Sequence, residues 1–104
     1  MAQGVYIVVD IGKTLSKVTL WSRDGQMLDR QTRPNAPQTV ESPPINGATT
    51  SYTALDIDGI GQWLIGALAR LSAHRVEAII PVAHGAAFVA LIDGAVAFPP
   101  PDYE

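Results

Sequence analysis

Five residues near the start of the chain have types and spacing that suit phosphate chemistry: Asp10, Gly12, Lys13, Thr14 and Lys17. They lie in the stretch Val8-Val9-Asp10-Ile11-Gly12-Lys13-Thr14-Leu15-Ser16-Lys17-Val18. Residues 5–9 form an apolar run that reads as a buried strand, and the run ends on one carboxylate, Asp10. A tight turn with Gly12 and small or basic residues follows, and Val18-Thr19-Leu20-Trp21 carries a second strand. The backbone N–H groups of such a turn, with the cations Lys13 and Lys17, can meet an anion. A carboxylate held at a rigid strand end can face hydrated Mg²⁺, which takes one or two carboxylates together with waters and phosphate oxygens.

Gly12-Lys13-Thr14 also looks like the end of a P-loop, G-x-x-x-x-G-K-[ST]. That motif needs a glycine at position 7, where this chain has Ile7. A P-loop opens a helix, whereas the residues after Thr14 are β-rich. The P-loop reading is rejected on both counts.

A second group of residues is His84-Gly85-Ala86-Ala87-Phe88-Val89-Ala90-Leu91-Ile92-Asp93. The first stretch, Asp10-x-Gly12-x-Thr14 with Lys17 beyond it and a strand on each side, resembles the first phosphate motif of the actin, heat-shock-chaperone and sugar-kinase superfamily. Within that superfamily it is most similar to the FGGY carbohydrate kinases, in their rhamnulokinase-like branch. The second stretch resembles the aromatic-Gly-x-Asp-Phe-Val-x-Leu-x-Asp pattern of rhamnulokinases at Gly85, Phe88, Val89, Leu91 and Asp93-Gly94. It departs from that pattern at His84, where the family has an aromatic residue or a glutamine, and at Ala87, where rhamnulokinases have an aspartate. Lys13 and Lys17 depart as well, since a threonine, serine or alanine is commoner at the first and an arginine at the second. Lysine keeps the charge but gives up bidentate geometry.

The resemblance implies a ribonuclease H-like α/β fold and ATP-dependent phosphorylation of a sugar hydroxyl. Asp10 would be the catalytic carboxylate that orients Mg²⁺. Gly12, Lys13, Thr14 and Lys17 would hold the β- and γ-phosphates of ATP, and His84 and Gly85 would line the sugar pocket. Phosphoryl transfer relies mainly on such positioning and charge stabilisation. In the family the general base is an aspartate much later in the chain, and the adenosine site lies in a second domain. Residues 1–104 are therefore expected to be the first, incomplete part of an N-terminal kinase domain, without turnover alone. The tail Pro99-Pro100-Pro101-Asp102-Tyr103-Glu104 is an unusual way for a domain to close, in line with a piece of a longer kinase.

The elements that must position these residues can be read in outline. Strands are expected at residues 5–9, 17–22 and 27–33, the last two joined by Arg23-Asp24-Gly25-Gln26, since Asp-Gly between apolar segments is a strong hairpin signal. Residues 34–53 read as a long irregular stretch: Pro34, Pro37, Pro43 and Pro44 remove ladder donors, and Asn46-Gly47 is a turn dipeptide. Residues 56–72 read as a helix with Asp56 and Asp58 as N-cap candidates. Its apolar face is Ile57, Ile60, Leu64, Ala67, Leu68 and Leu71. Gly59, Gly61 and Gly66 weaken it, and close packing on a sheet would explain them. Trp63 reads as core and His74 as a solvated cation past the helix. Residues 76–82 read as a strand parallel to the first, covered on both faces, with Pro81 an awkward member. A second Asp-Gly hairpin is expected over residues 88–98. Together these give a mixed sheet with a β-β-β-α-β start and a further hairpin.

Composition narrows the alternatives. The 104 residues suffice for one small domain, and 47% of them are hydrophobic against 16% charged. A net charge of −3 and a pI near 5.2, with no basic stripe, argue against nucleic acid as a partner. No cysteine is present, which excludes disulfides and thiolate zinc sites and is compatible with the cytoplasm. The start lacks a signal-peptide pattern, and no apolar run reaches the roughly 18 residues of a membrane span, so no membrane partner is expected. A ribonuclease H-like nuclease would need several clustered carboxylates around two metals. Asp56, Asp58 and Glu77 read instead as helix caps and a strand start. The remaining alternative is a non-catalytic binding or scaffold module of the same fold, which Ala87 and the short chain favour. An exposed sheet edge would let two copies pair. The identity of the sugar and of its phosphorylated hydroxyl is not written in these residues.

Overall fold

The computed structural model describes residues 4–41, 47–49, 51–83, 85 and 91–96. Elements run in the order β1 (Val5–Ile11), β2 (Leu15–Ser22), β3 (Met27–Pro34), β4 (Gln38–Glu41), β5 (Ser51–Ala54), α1 (Ile57–Arg70), β6 (Val76–Ala83), β7 (Leu91–Ile92) and β8 (Ala95–Val96). They fall into two compact units. One holds β1, β2, β3, α1 and β6, and the other holds β4, β5, β7 and β8.

The first unit is a mixed four-stranded sheet in the order β3-β2-β1-β6. β1 pairs antiparallel with β2 and parallel with β6, and β2 pairs antiparallel with β3. This is the expected β-β-β-α-β start. Because side chains alternate across a strand, β1 sends Val5, Ile7 and Val9 to one face, and β2 sends Val18 and Leu20 to the same face. Ala67 and Leu71 complete the buried cluster, with Ile11, Trp63, Leu64 and Leu68 packed against it. The helix thus covers one face through the three- and four-residue spacing read in the sequence, and Trp63 is core. Gln31 of β3 fastens the helix C-terminal half: its Nε2 donates to the Ala67 carbonyl at 3.2 Å, and its Oε1 accepts from Arg70 Nη1 at 3.2 Å.

β2 and β3 are joined by a turn at Gly25, whose φ of 88° is a left-handed value that glycine adopts without a Cβ clash. The Ser22 N–H donates to the Gln26 carbonyl at 2.9 Å, and the Ser22 hydroxyl donates to Asp24.

Three expectations are corrected here. Among the described elements β6 is an edge strand, not a covered central one: every residue of it is exposed, including Ile79, Ile80 and Val82. That position also accommodates Pro81, because an edge strand tolerates a missing N–H that a central strand would need. The helical glycines are not there for close packing, at least at Gly61 and Gly66, where an added Cβ would meet nothing within 4 Å. The stretch 34–53 is not irregular throughout, since β4 and β5 form an antiparallel pair with Val40 opposite Tyr52. β-branched and aromatic residues in those two short segments outweigh the flanking prolines.

In the second unit, β7 and β8 form the second Asp-Gly hairpin, with Asp93 at φ 51° and Gly94 at φ 79°. Positive φ at both central residues is what a two-residue type I′ turn requires. The outer residues of the expected hairpin, 88–90 and 97–98, lie outside the described ones. No helix among the described residues is long and apolar enough to cross a membrane.

Candidate functional site

The ladder between β1 and β2 places Asp10 directly opposite Lys17 and Ile11 opposite Ser16. Asp10 and Lys17 lie on the face of the sheet opposite the core, because Val9 and Val18, one residue away, point into it. Lys17 Nζ stands 3.8 Å from Asp10 Oδ2, and each side chain is 37% exposed. An ion pair with that much solvent contact is worth only about 0–1 kcal/mol. It holds the two groups together without locking them to each other. A cation can take the carboxylate and an anion the ammonium at little cost.

The pair opens onto a groove of about 370 Å³ on the helix-free face. Val8 and Asp10 of β1, Lys17, Thr19 and Trp21 of β2, and Met27 and Arg30 of β3 line it. Trp21 is fixed there by its indole N–H, which donates to Thr19 Oγ1 at 2.9 Å.

Between Asp10 and Lys17 the chain turns through residues 12–15. The Gly12 N–H donates to the Leu15 carbonyl at 2.9 Å, so this amide is committed to closing the hairpin and is not one that meets an anion. Gly12 does not carry a positive φ. Its glycine is explained instead by space, since a Cβ there would sit 3.1 Å from the Leu15 carbonyl oxygen. Lys13 and Thr14 are exposed at the tip. The strand that follows begins at Leu15, which bears out the rejection of a P-loop.

Sequence reading missed Asn35 and Ser16. Asn35 follows β3 and is 3% exposed, and Ser16 is fully buried. The Asn35 N–H donates to the Thr14 carbonyl at 2.8 Å, its Nδ2 donates to the Gly12 carbonyl at 2.7 Å, and its Oδ1 accepts from the Ser16 hydroxyl at 2.5 Å. The only sequence signal was a polar residue, Ser16, at a position that strand alternation with Val18 and Leu20 marks as inward.

β1 and β6 end level with each other, Asp10 beside Val82 and Ile11 beside Ala83. In open α/β sheets, ligands bind outside the carboxyl ends of parallel strands, and Asp10 stands at such an end. His84, the residue after β6, lies outside the described residues. Gly85 is an exposed turn residue of the second unit, and an added Cβ there would meet nothing within 4 Å.

The donor set fits a hydrated divalent cation with phosphate. One exposed carboxylate stands at a strand end, a lysine ammonium lies beside it, and a turn with a hydroxyl and a second lysine adjoins both. Among the described residues no three His, Asp or Glu side chains come together as a metal cage. A single carboxylate suits Mg²⁺, which keeps its waters.

No family model matches the chain, and no curated protein does. Among solved structures, the chain is similar to a carbohydrate kinase from Novosphingobium aromaticivorans. The two are 48% identical, with a TM-score of 0.79, over 99% of this chain and 20% of that one. The chain therefore spans about a fifth of the length of that kinase.

Proposed function

We propose that this chain is the N-terminal, phosphate-binding part of an ATP-dependent carbohydrate kinase of the FGGY family, in its rhamnulokinase-like branch, with a ribonuclease H-like fold. The observation that carries the reading is the Asp10–Lys17 pair. A carboxylate and an ammonium face each other at 3.8 Å, at the carboxyl end of a strand and beside a glycine turn. The 48% identity to a carbohydrate kinase supports it.

In this reading Asp10 would hold a hydrated Mg²⁺, and Lys17 would supply positive charge to the terminal phosphates of ATP. Thr14 offers a hydroxyl and Lys13 a further positive charge at the tip of the turn. Bound Mg²⁺ supplies charge neutralisation at the phosphate being transferred. The chain's own part is to hold the backbones that carry the carboxylate and the ammonium directly opposite each other on a rigid ladder, so that little reorganisation accompanies transfer. The base that takes the proton from the sugar hydroxyl is expected outside residues 1–104, as is the adenosine pocket. His84 and Gly85 remain the proposed sugar contacts. The protein would act in the cytoplasm on a free sugar, with neither nucleic acid nor a membrane as partner.

The test is Asp10→Ala in the full-length protein, assayed with Mg-ATP against a panel of sugars. Phosphorylation should vanish while the melting temperature stays close to that of the unaltered protein. Normal turnover in the variant would overturn the assignment. A full-length protein that neither turns over any sugar nor shifts its melting temperature with Mg-ATP would favour a binding module of the same fold.

A further inference from the structure

Asn35 ties down three alternate residues of the turn from one buried position: Gly12, Thr14 and Ser16. The chemistry dictates which end of its amide goes where. The Gly12 carbonyl can only accept, so it faces Nδ2, and this leaves Oδ1 for the Ser16 hydroxyl. Ser16 has no exposure, and its hydroxyl finds its partner in Asn35.

The consequence lies in the backbone. In a planar trans peptide the C=O of one residue and the N–H of the next point in opposite directions, and no described peptide is cis. Holding the Gly12 carbonyl toward Asn35 turns the Lys13 N–H away from Asn35. Holding the Thr14 carbonyl there turns the Leu15 N–H away as well. One peptide plane of the turn is thus set by the Asn35 side chain and a second by its backbone N–H, both from a residue that is 3% exposed.

We propose that Asn35 is a positioning residue for anion binding: it presets the peptide planes of residues 12–16 so that the turn meets the phosphates of Mg-ATP without reorganising. The inference rests on the assignment of this turn to ATP phosphates. A preorganised site binds more tightly because the ordering cost is met before the ligand arrives. Misplacing such a site costs up to about a hundredfold.

The experiment compares Asn35→Asp and Ser16→Ala with the unaltered full-length protein. Asn35→Asp keeps the shape and the acceptor for Ser16 but removes the donor to the Gly12 carbonyl. Ser16→Ala removes the other anchor and decides the matter if Asn35→Asp does not fold. Mg-ATP affinity is measured by calorimetry, KM is measured separately for Mg-ATP and for the sugar, and amide hydrogen exchange is followed over residues 12–16. In a folded variant the expected result is a tenfold to hundredfold loss of Mg-ATP affinity and a matching rise in KM for Mg-ATP. The sugar KM should stay within about twofold, and exchange in the turn should be faster. Unchanged Mg-ATP affinity in a folded variant would overturn the proposal, and so would an equal rise in both KM values that tracks a lower melting temperature. If the unaltered protein itself fails to bind Mg-ATP, the kinase reading falls and this inference falls with it, whereas a failure confined to the variants leaves the kinase reading standing.

Discussion

Asp10 and Lys17 face each other across the β1–β2 ladder, one residue past the core pair Val9 and Val18, with 3.8 Å between carboxylate and ammonium. The register is what puts opposite charges on the groove face of the sheet while their neighbours fill the core. A one-residue slip would exchange the two faces. Replacing Lys17 by glutamine should therefore leave stability within about 1 kcal/mol, because an exposed pair contributes little. Mg-ATP affinity should fall by about tenfold or more, since one charged contact to phosphate is lost. Urea denaturation and calorimetry on the same variant check both halves.

Leu20 is 1% exposed and sits among Val18, Val9 and the helix residues of the core. Leu20→Ala should cost about 2–5 kcal/mol through lost burial and the cavity left behind. Ile65, on the outer side of the helix, is 72% exposed. Ile65→Ala should change stability by no more than about 0.5 kcal/mol. Chemical denaturation of the two variants side by side tests the assignment of the helix faces, and equal losses would contradict it.

Gly66 lies in the helix interior, exposed, with open space where a Cβ would go and no positive φ. Gly66→Ala should raise stability by about 0.5–1 kcal/mol, because alanine loses less backbone freedom in a helix. A higher denaturation midpoint with an unchanged slope is the expected observation.

How much of this was legible beforehand follows from the range of each interaction. The Asp10–Lys17 pairing rests on a hairpin of a few residues, so strand periodicity and the turn revealed both groups. The core face of α1 was legible for the same reason, since Leu64, Ala67, Leu68 and Leu71 repeat within one element. The Asn35 contacts were not, because they join residues 19 and 23 positions apart and follow no local period. Nor did the pattern of β6 tell its place. An apolar run such as Ile79-Ile80-Pro81-Val82 suits a strand covered on both faces, but what covers it belongs to tertiary structure, and here every residue of the strand is exposed. Pro81 was the one local sign, and it pointed to the edge.

That edge supports a last prediction. β6 presents Ile79, Ile80 and Val82 at about half exposure, 52%, 45% and 49%, on a strand paired on one side only among the described elements. An unpaired edge with apolar side chains on both faces is a template for another strand. Side-chain burial adds roughly 25 cal/mol per Å² of apolar surface removed from water. The segment 1–104, produced alone, should therefore self-associate as its concentration rises. Ile80→Lys should shift it toward monomer, since a charge on the strand resists burial at the new interface while a half-exposed site tolerates lysine in the folded chain. Sedimentation velocity over a hundredfold concentration range reads the result. A segment that stays monomeric throughout, or an Ile80→Lys variant that associates as before, would show that this edge is not the contact.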